Sequence, residues 1–273
     1  MLNKLKLGSA DWNLWPFSME HEKTFPLFKE LKIQCIELGI YTPSKELGAT
    51  KQQQILSLAK NLDLEITAVL FSLTPEYWPH GAFSNTNSNF LLECKSFLNS
   101  LEAMGIKYAN IWTGVDLPDS NMEQTLNSLK VLDVLASEFS GLVSIEYKAG
   151  TIFSDGESLA NILSEFKHLK VLIDTGHAFA LGENVVNLIK ELHDKNLIGA
   201  IHLGDALFGD SDADLPCGRV HDFTAIMQAL SLINFEGTAN FDLYGSATDE
   251  FGPGPISILE ESVTHMNKVI RDL

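Results

Sequence analysis

Short apolar runs alternate with longer amphipathic stretches along all 273 residues of the chain. The amphipathic stretches repeat apolar residues every three or four positions, which is typical of helices that pack by one face. The clearest helical patterns are NFLLECKSFLNSLEAM, MEQTLNSLKVLDVLASEF, SLANILSEFKHL, NVVNLIKELHDK and FTAIMQALSLI. The apolar runs are hydrophobic at consecutive positions, as expected for parallel strands buried on both faces. We predict eight such strands, at Lys4–Gly8, Ile33–Gly39, Leu64–Phe71, Tyr108–Trp112, Leu142–Tyr147, Val171–Asp174, Ala200–Leu203 and Ala239–Leu243.

This alternation predicts an α/β fold, a single (β/α)8 TIM barrel that occupies residues 1–273 as one domain. No Pro- or Ser-rich linker divides the chain, and about 250 residues are typical of such a barrel. A doubly wound open sheet is the alternative, but no G-x-G-x-x-G motif follows the first strand. The long loops all follow predicted strands, which places them on the face where barrels carry their active sites.

Charge restricts the partners of the chain. It carries 36 acidic and 19 basic residues, for a formal net charge of −17, and this excludes a nucleic acid partner because phosphate binding needs a basic surface. Only two arginines are present, so we expect a small molecule that is uncharged or singly charged.

The chain contains no run of 18 apolar residues, and MLNKLKLGSADWNLW does not read as a signal peptide. We therefore expect a cytoplasmic protein without a membrane partner. Three widely separated cysteines imply neither a disulfide framework nor a Cys-based zinc site. A homodimer is an expectation by analogy with related barrels.

Three side chains of metal-binding type stand at a constant interval in the second half of the chain. Glu146, Asp174 and His202 lie at or near the ends of LVSIEYK, LKVLIDTGH and LIGAIHLGD, each 28 residues from the next. That interval is the length of one strand-plus-helix unit, so the side chains converge at the ends of consecutive parallel strands. Asp242 occupies a similar position in TANFDLYG, after a longer loop. The four residues predict a metal site.

An oxygen-rich ligand set with one imidazole suits one divalent ion, with Mn²⁺ or Mg²⁺ favoured and Co²⁺, Fe²⁺ or Zn²⁺ also compatible. The alternative, for each carboxylate taken alone, is that it caps the helix that follows.

Other polar and aromatic residues fall near the same predicted rim. His177, in the turn DTGH, is a candidate for metal or substrate binding, or else a histidine bonded to the helix start. Asp205 either orients an imidazole or begins the next loop. Arg219 either binds a substrate oxygen or holds its loop through Asp222 or a helix end. Aromatic residues that suit the apolar faces of a sugar or cyclitol, or pack on the barrel top, are Trp12, Trp15, Tyr77, Trp78, Trp112 and Tyr244, with His80 beside them.

Several of these segments resemble the sugar phosphate isomerase/epimerase superfamily. They are IEYK around Glu146, IDTGHA, IHLGDA and LPCGRVHDF, while the N-terminal half matches mainly in rhythm, including CIELGI around Glu37. The resemblance implies a xylose isomerase-like TIM barrel and relatives among ketose 3-epimerases, inosose dehydratases and hydroxypyruvate isomerases. The apurinic endonucleases of this group draw extra histidines from the third and fourth strand ends, where AVLFS and NIWTG have none.

In the ketose 3-epimerases a Glu, an Asp, a His and a final Glu hold the metal, and they match Glu146, Asp174, His202 and Asp242. The resemblance also implies substrate contact by His177. The chain departs from the pattern at Asp242, which is shorter than Glu by one methylene and would have to reach both metal and substrate.

These observations favour a divalent-metal-dependent isomerase or epimerase of a ketose or related polyhydroxy carbonyl compound. Proton transfer would proceed through a metal-stabilised enediolate, with Glu146 and Asp242 as catalytic residues. Substrate-binding candidates are His177, Arg219, Trp12 and Trp112. The alternatives are an inosose dehydratase-like lyase and a non-catalytic sugar-binding barrel.

Overall fold

Eight parallel strands pair in chain order, and the eighth pairs back onto the first to close a barrel. The computed structural model describes residues 5–72, 83, 88–116, 118 and 120–273, apart from the side chains of 88 and 89. The strands are β1 (Leu5–Ala10), β2 (Cys35–Ile40), β3 (Glu65–Phe71), β4 (Tyr108–Trp112), β5 (Leu142–Glu146), β6 (Leu169–Asp174), β7 (Ile198–Leu203) and β8 (Gly237–Phe241). The predicted eight-stranded parallel barrel is therefore confirmed.

Helices surround the barrel and follow the strands in sequence. They are α1 (His21–Glu30), α2 (Pro43–Glu46), α3 (Ala49–Asn61), α4 (Ser88–Met104), α5 (Met122–Ser137), α6 (Gly156–Leu163), α7 (Thr175–Ala180), α8 (Val185–Asp194), α9 (Phe223–Leu232), α10 (Tyr244–Ala247) and α11 (Pro255–Arg271). A short 3₁₀ turn, Asp11–Leu14, follows β1. In the described ranges we find no helix with the length and apolar character needed to span a membrane.

Element boundaries differ from the sequence prediction in a few places. The pattern SLANILSEFKHL predicts a helix that continues to Leu169, but α6 ends at Leu163 because Leu169 already belongs to β6, where it is the register partner of Val143. The last strand ends at Phe241 rather than Leu243, so Asp242 is the first residue after β8. Lys4, the predicted start of the first strand, lies outside the described residues.

The main core lies between the strands and the surrounding helices, where large side chains such as Phe25, Phe97 and Phe223 are fully buried. The barrel interior is more polar than this outer layer. It contains Glu37 and Asn240, and Gly8 makes room for the latter, because a Cβ there would lie 2.1 Å from Asn240 Oδ1. All three cysteines are free and buried.

Candidate active site

The four predicted ligand residues converge at the carboxyl ends of the strands. Glu146 ends β5, Asp174 ends β6, His202 lies in β7 and Asp242 follows β8. One ligand atom from each lies within 4.8 Å of the corresponding atoms of the other three. Strand register brings them together, since Asp174 and His202 are partners across the β6–β7 pair. The constant spacing in the sequence thus predicted a real cluster of side chains.

The chemistry of this cluster fits a divalent cation. Ligand atoms on opposite sides of such an ion are separated by about 4–5 Å, given metal–oxygen bonds of about 2.0–2.6 Å. Within the described part of the chain, His202 Nδ1 is buried and forms no hydrogen bond, although it lies 3.3 Å from Asp242 Oδ2 and 3.8 Å from Asp174 Oδ2. A buried nitrogen without a hydrogen bond beside three carboxylates is what a metal site requires.

Glu37 holds the imidazole of His202 from inside the barrel. Its Oε2 lies 2.9 Å from His202 Nε2 and accepts a hydrogen bond from Asn240 Nδ2 at 2.6 Å, while its Oε1 accepts from Asn110 Nδ2 at 2.7 Å. A carboxylate on Nε2 favours the tautomer with the proton there, which leaves the Nδ1 lone pair directed at the cluster. Burial opposes a charge on His202, but Glu37 and Asp242 outweigh it and raise the pKa of the imidazole well above its ordinary value, so a divalent ion at the cluster would bind Nδ1 in place of a proton.

The sequence left two interpretations of Asp205, as the partner of an imidazole or as the start of the next loop. Asp205 does contact an imidazole, but that of His221 and not of His202: its Oδ1 lies 2.7 Å from Nδ1 of His221, and its Oδ2 accepts from the backbone N–H groups of Val220 and His221. The His221 ring stacks on Phe179 with centroids 3.8 Å apart. Asp205 therefore fixes the loop after β7, and it was Glu37, in the middle of an apolar strand, that sequence reasoning missed. A lone carboxylate within CIELGI was the available signal, because a buried charge requires partners.

His177 lies beside the cluster, in the first turn of α7. Asp174 caps this helix by accepting from the His177 backbone N–H at 2.9 Å, so one carboxylate serves as both helix cap and candidate ligand. The His177 Nε2 lies 3.2 Å from Glu146 Oε1. Burial disfavours the imidazolium, but the Asp174 and Glu146 carboxylates outweigh this and raise its pKa to about 9. The pair places an N–H donor next to the proposed base.

The short side chain of Asp242 is held firmly in place. Asn13 bonds the backbone on both sides of it, donating from Nδ2 to Phe241 O and accepting at Oδ1 from Leu243 N–H, each at 2.8 Å. The indole N–H of Trp12 donates to Asp242 Oδ1 at 2.8 Å, which leaves Oδ2 toward His202. Burial would raise the Asp242 pKa, but contacts with His202 and Trp12 lower it overall. The side chain reaches the cluster despite being one methylene shorter than Glu.

A cavity of about 180 Å³ opens beside the cluster. Its aromatic walls come from Trp12, Trp15, Tyr41, Trp112 and Tyr244, and its polar walls from Ser72, Glu146, Lys148, His177, Asp214 and Asp242. Trp12 and Trp112, predicted to bind substrate, thus line this space, and their role there stays a prediction. The predictions for Tyr77, Trp78 and His80 lie outside the described residues.

Arg219 is not brought into the cavity. Its guanidinium forms a two-pronged ion pair with Glu261 of α11, with Nε to Oε1 at 2.8 Å and Nη2 to Oε2 at 2.7 Å. The loop is therefore tied to a helix on the outside of the barrel, and the partner is not Asp222, which instead caps α9. The long basic side chain that does line the cavity is that of Lys148. Lys148 lies two residues after the end of β5, and this closeness to Glu146 in the sequence was the signal for it.

Comparisons with known proteins agree with this architecture. The model of the xylose isomerase-like TIM barrel family matches residues 25–269. The structure of YcjR, a 3-keto-D-glucoside 4-epimerase from E. coli, has a TM-score of 0.76 and 18% identity over 97% of this chain and 100% of that one. D-allulose 3-epimerase from Methylomonas sp., in complex with D-allulose, has a TM-score of 0.74 and 13% identity over 97% of each chain.

The probable 3-DHS dehydratase AsbF from Bacillus anthracis has a TM-score of 0.73 and 15% identity over 96% of this chain and 98% of that one. A search of curated protein sequences gave no match. These low identities show a shared fold, while the family model covers most of the chain and confirms the resemblance in the sequence. The chain therefore belongs to the xylose isomerase-like TIM barrel family.

Proposed function

We propose that this protein is a divalent-metal-dependent isomerase or epimerase of a ketose or a related polyhydroxy carbonyl compound. The observation that carries the proposal is the convergence of Glu146, Asp174, His202 and Asp242 beside a cavity with aromatic walls. The similar folds include a sugar 4-epimerase and a sugar 3-epimerase, which supports the substrate class.

The four clustered residues would together hold the cation, and Mn²⁺ or Mg²⁺ suits three carboxylates with one imidazole. When bound, the cation would polarise the carbonyl of the substrate and so lower the pKa of the neighbouring C–H group.

Glu146 is the proposed base, because it is buried at the cavity wall and bonded to His177 only on Oε1 among the described contacts. It would accept the proton from the carbon next to the carbonyl. Asp242, three strands further round the barrel, would return a proton from the other wall in an epimerisation. His177 would donate its Nε2 hydrogen bond toward a substrate oxygen once that oxygen displaces the contact with Glu146.

A lyase is the second candidate, and the placement of His177 favours it. The imidazole lines the cavity, and its Nε2 lies 3.2 Å from Oε1 of the proposed base Glu146, so it would supply a proton to a departing hydroxyl group on the same substrate. The fold of a probable dehydratase is also similar.

Both reactions begin with the same proton removal, so one experiment tests the proposal. The protein is incubated in D₂O with Mn²⁺ and, in turn, D-tagatose, D-allulose, D-fructose and an inosose, followed by NMR and mass spectrometry. We expect deuterium at the carbon next to the carbonyl of at least one compound, and loss of this exchange after chelation. A product lighter by one water would identify the lyase. Absence of exchange from every compound with Mn²⁺, Mg²⁺ and Co²⁺ would reject the proposed function.

A further inference from the structure

The loop between β7 and α9, residues 204–222, folds back over the mouth of the barrel. Asp205 and Leu215 form an antiparallel bridge, with backbone hydrogen bonds of 2.8 and 2.7 Å, so the loop returns on itself. Gly209 N–H donates to Ala180 O at 2.8 Å and joins the loop to α7. These contacts place the segment 212–214 beside the cavity.

Asp214 is fixed in the cavity wall by α10. Its Oδ2 accepts from the Gly245 backbone N–H at 2.8 Å, and Ser246 Oγ donates to the Ala213 carbonyl at 2.9 Å. The fit requires glycine at 245, where a Cβ would lie 1.9 Å from the Asp212 carbonyl oxygen. Asp214 is therefore held by a tight contact between two elements and does not sample open solvent freely.

One oxygen of Asp214 is left for a ligand. Among the described residues Oδ1 has no hydrogen-bond partner, whereas Oδ2 is engaged by Gly245. Lys148, the lysine of the described cavity wall, pairs with Asp212 at 2.5 Å instead. Burial and the nearby Asp242 raise the pKa of Asp214 to about 7, as expected for a carboxyl group without its own cation.

The charges of the described cavity wall disfavour an anionic ligand beside Asp214. Each cation of that wall already lies against an acid, Lys148 against Asp212 and His177 against Glu146, and the wall has no arginine. A phosphate or carboxylate beside Asp214 would therefore meet a negative charge without a free cation among the described residues, which is unfavourable in a partly desolvated site. A hydroxyl group, in contrast, can donate to Asp214 Oδ1.

We infer that Asp214 is a specificity-determining residue that accepts a hydrogen bond from a hydroxyl group of the substrate, and that the cavity takes uncharged polyhydroxy compounds in preference to their phosphorylated or carboxylated forms. The inference rests on the proposed function for the orientation of substrate at the cluster. The inference adds the class of substrate, and it attributes the preference for that class to a residue outside the ligand cluster.

Asp214→Asn is the informative variant. The amide oxygen must stay on the Gly245 N–H, so the amide NH₂ takes the place of Oδ1, and the cavity loses an acceptor and gains a donor. Asp210→Asn is the matched control, because Asp210 is an exposed acid in the same loop that does not line the cavity. Binding is compared well above pH 7, where Asp214 is ionised, so that each variant removes one negative charge.

Binding of D-glucitol and of D-glucitol 6-phosphate is measured by calorimetry with Mn²⁺ present. We expect wild type and Asp210→Asn to bind D-glucitol more tightly than its phosphate. Asp214→Asn should bind D-glucitol about 10- to 100-fold more weakly than wild type does, as for loss of a hydrogen bond to a charged group. Its preference for D-glucitol over D-glucitol 6-phosphate should be smaller or reversed.

Equal or tighter binding of the phosphate by wild type, no binding of D-glucitol by wild type, or identical behaviour of Asp214→Asn and Asp210→Asn would each overturn the inference. The readout does not involve proton exchange. The predicted binding pattern in a protein without exchange would therefore reject the proposed function and leave the specificity assignment in place.

Discussion

Replacement of Glu146 by Gln is expected to slow proton exchange between substrate and solvent by about 10²- to 10⁴-fold, the usual contribution of a positioned general base. The amide keeps the size of the side chain and an oxygen for the cation, but it cannot accept a proton. Bound metal should therefore remain, while deuterium incorporation from D₂O, followed by NMR, falls. The Glu146 side chain is buried and bonded to His177, so solvent cannot easily replace it as base.

Glu138→Gln serves as the control for this variant. Glu138 is exposed at the end of α5 and undergoes the same chemical change away from the cavity, so exchange should be unaffected. Exchange at the wild-type rate in Glu146→Gln would remove Glu146 from the role of base.

Glu37→Gln is expected to lower both metal affinity and stability. Its carboxylate is fully buried and bonded to His202, Asn110 and Asn240. Loss of its charge should reduce the free energy of unfolding by about 3–5 kcal/mol, as for breaking a buried ionic contact. The amide oxygen should stay at the Oε2 position, where His202 and Asn240 both donate, so His202 would be held by a neutral acceptor instead of a carboxylate, and metal affinity should fall about 10- to 100-fold. Denaturant unfolding and metal titration measure the two effects.

The matched control is Glu65→Gln at the start of β3. Glu65 pairs with Lys6 at 2.5 Å, but both side chains are more than half exposed, at 57% and 53%. Such surface pairs contribute about 0–1 kcal/mol, and metal affinity should not change. If Glu37→Gln matched this control in both measurements, the support of His202 from inside the barrel would be disproved.

The sequence was sufficient to predict the barrel and the ligand cluster, because both depend on local periodicity. Each apolar run has the length of a strand, and each strand-plus-helix unit returns the chain to the same rim. Because neighbouring strands are parallel and end at the same rim, the side chains of Glu146, Asp174 and His202 converge there. The observed strand ends differ from the predicted ones by one or two residues, but these differences do not take the three side chains out of the cluster.

The support of the cluster could not be predicted from local pattern. Glu37 bonds partners 73, 165 and 203 residues away, across the interior of the closed barrel. The curvature of the barrel determines which interior side chains meet, and no short sequence motif records it.

The conformation of the loop between β7 and α9 could not be predicted from the sequence either. Arg219 and Asp214 lie only a few residues apart in one loop, yet the first contacts α11 outside the barrel and the second lines the cavity. Their positions depend on the bridge between Asp205 and Leu215 and on the close approach at Gly245. Residue type alone favoured the arginine as the substrate ligand, and the fold of the loop placed the acid there.

Metal content after native purification and dialysis against Mn²⁺, measured by plasma mass spectrometry, tests the central claim most directly. Wild type is compared with Asp174→Ala and His202→Ala, and with His193→Ala and Asp194→Ala, exposed residues at the end of α8, as controls. We predict one ion per chain in wild type and in both controls, and its loss in Asp174→Ala and His202→Ala. Wild type without metal after this treatment, or metal retained in both cluster variants, would contradict the proposed site.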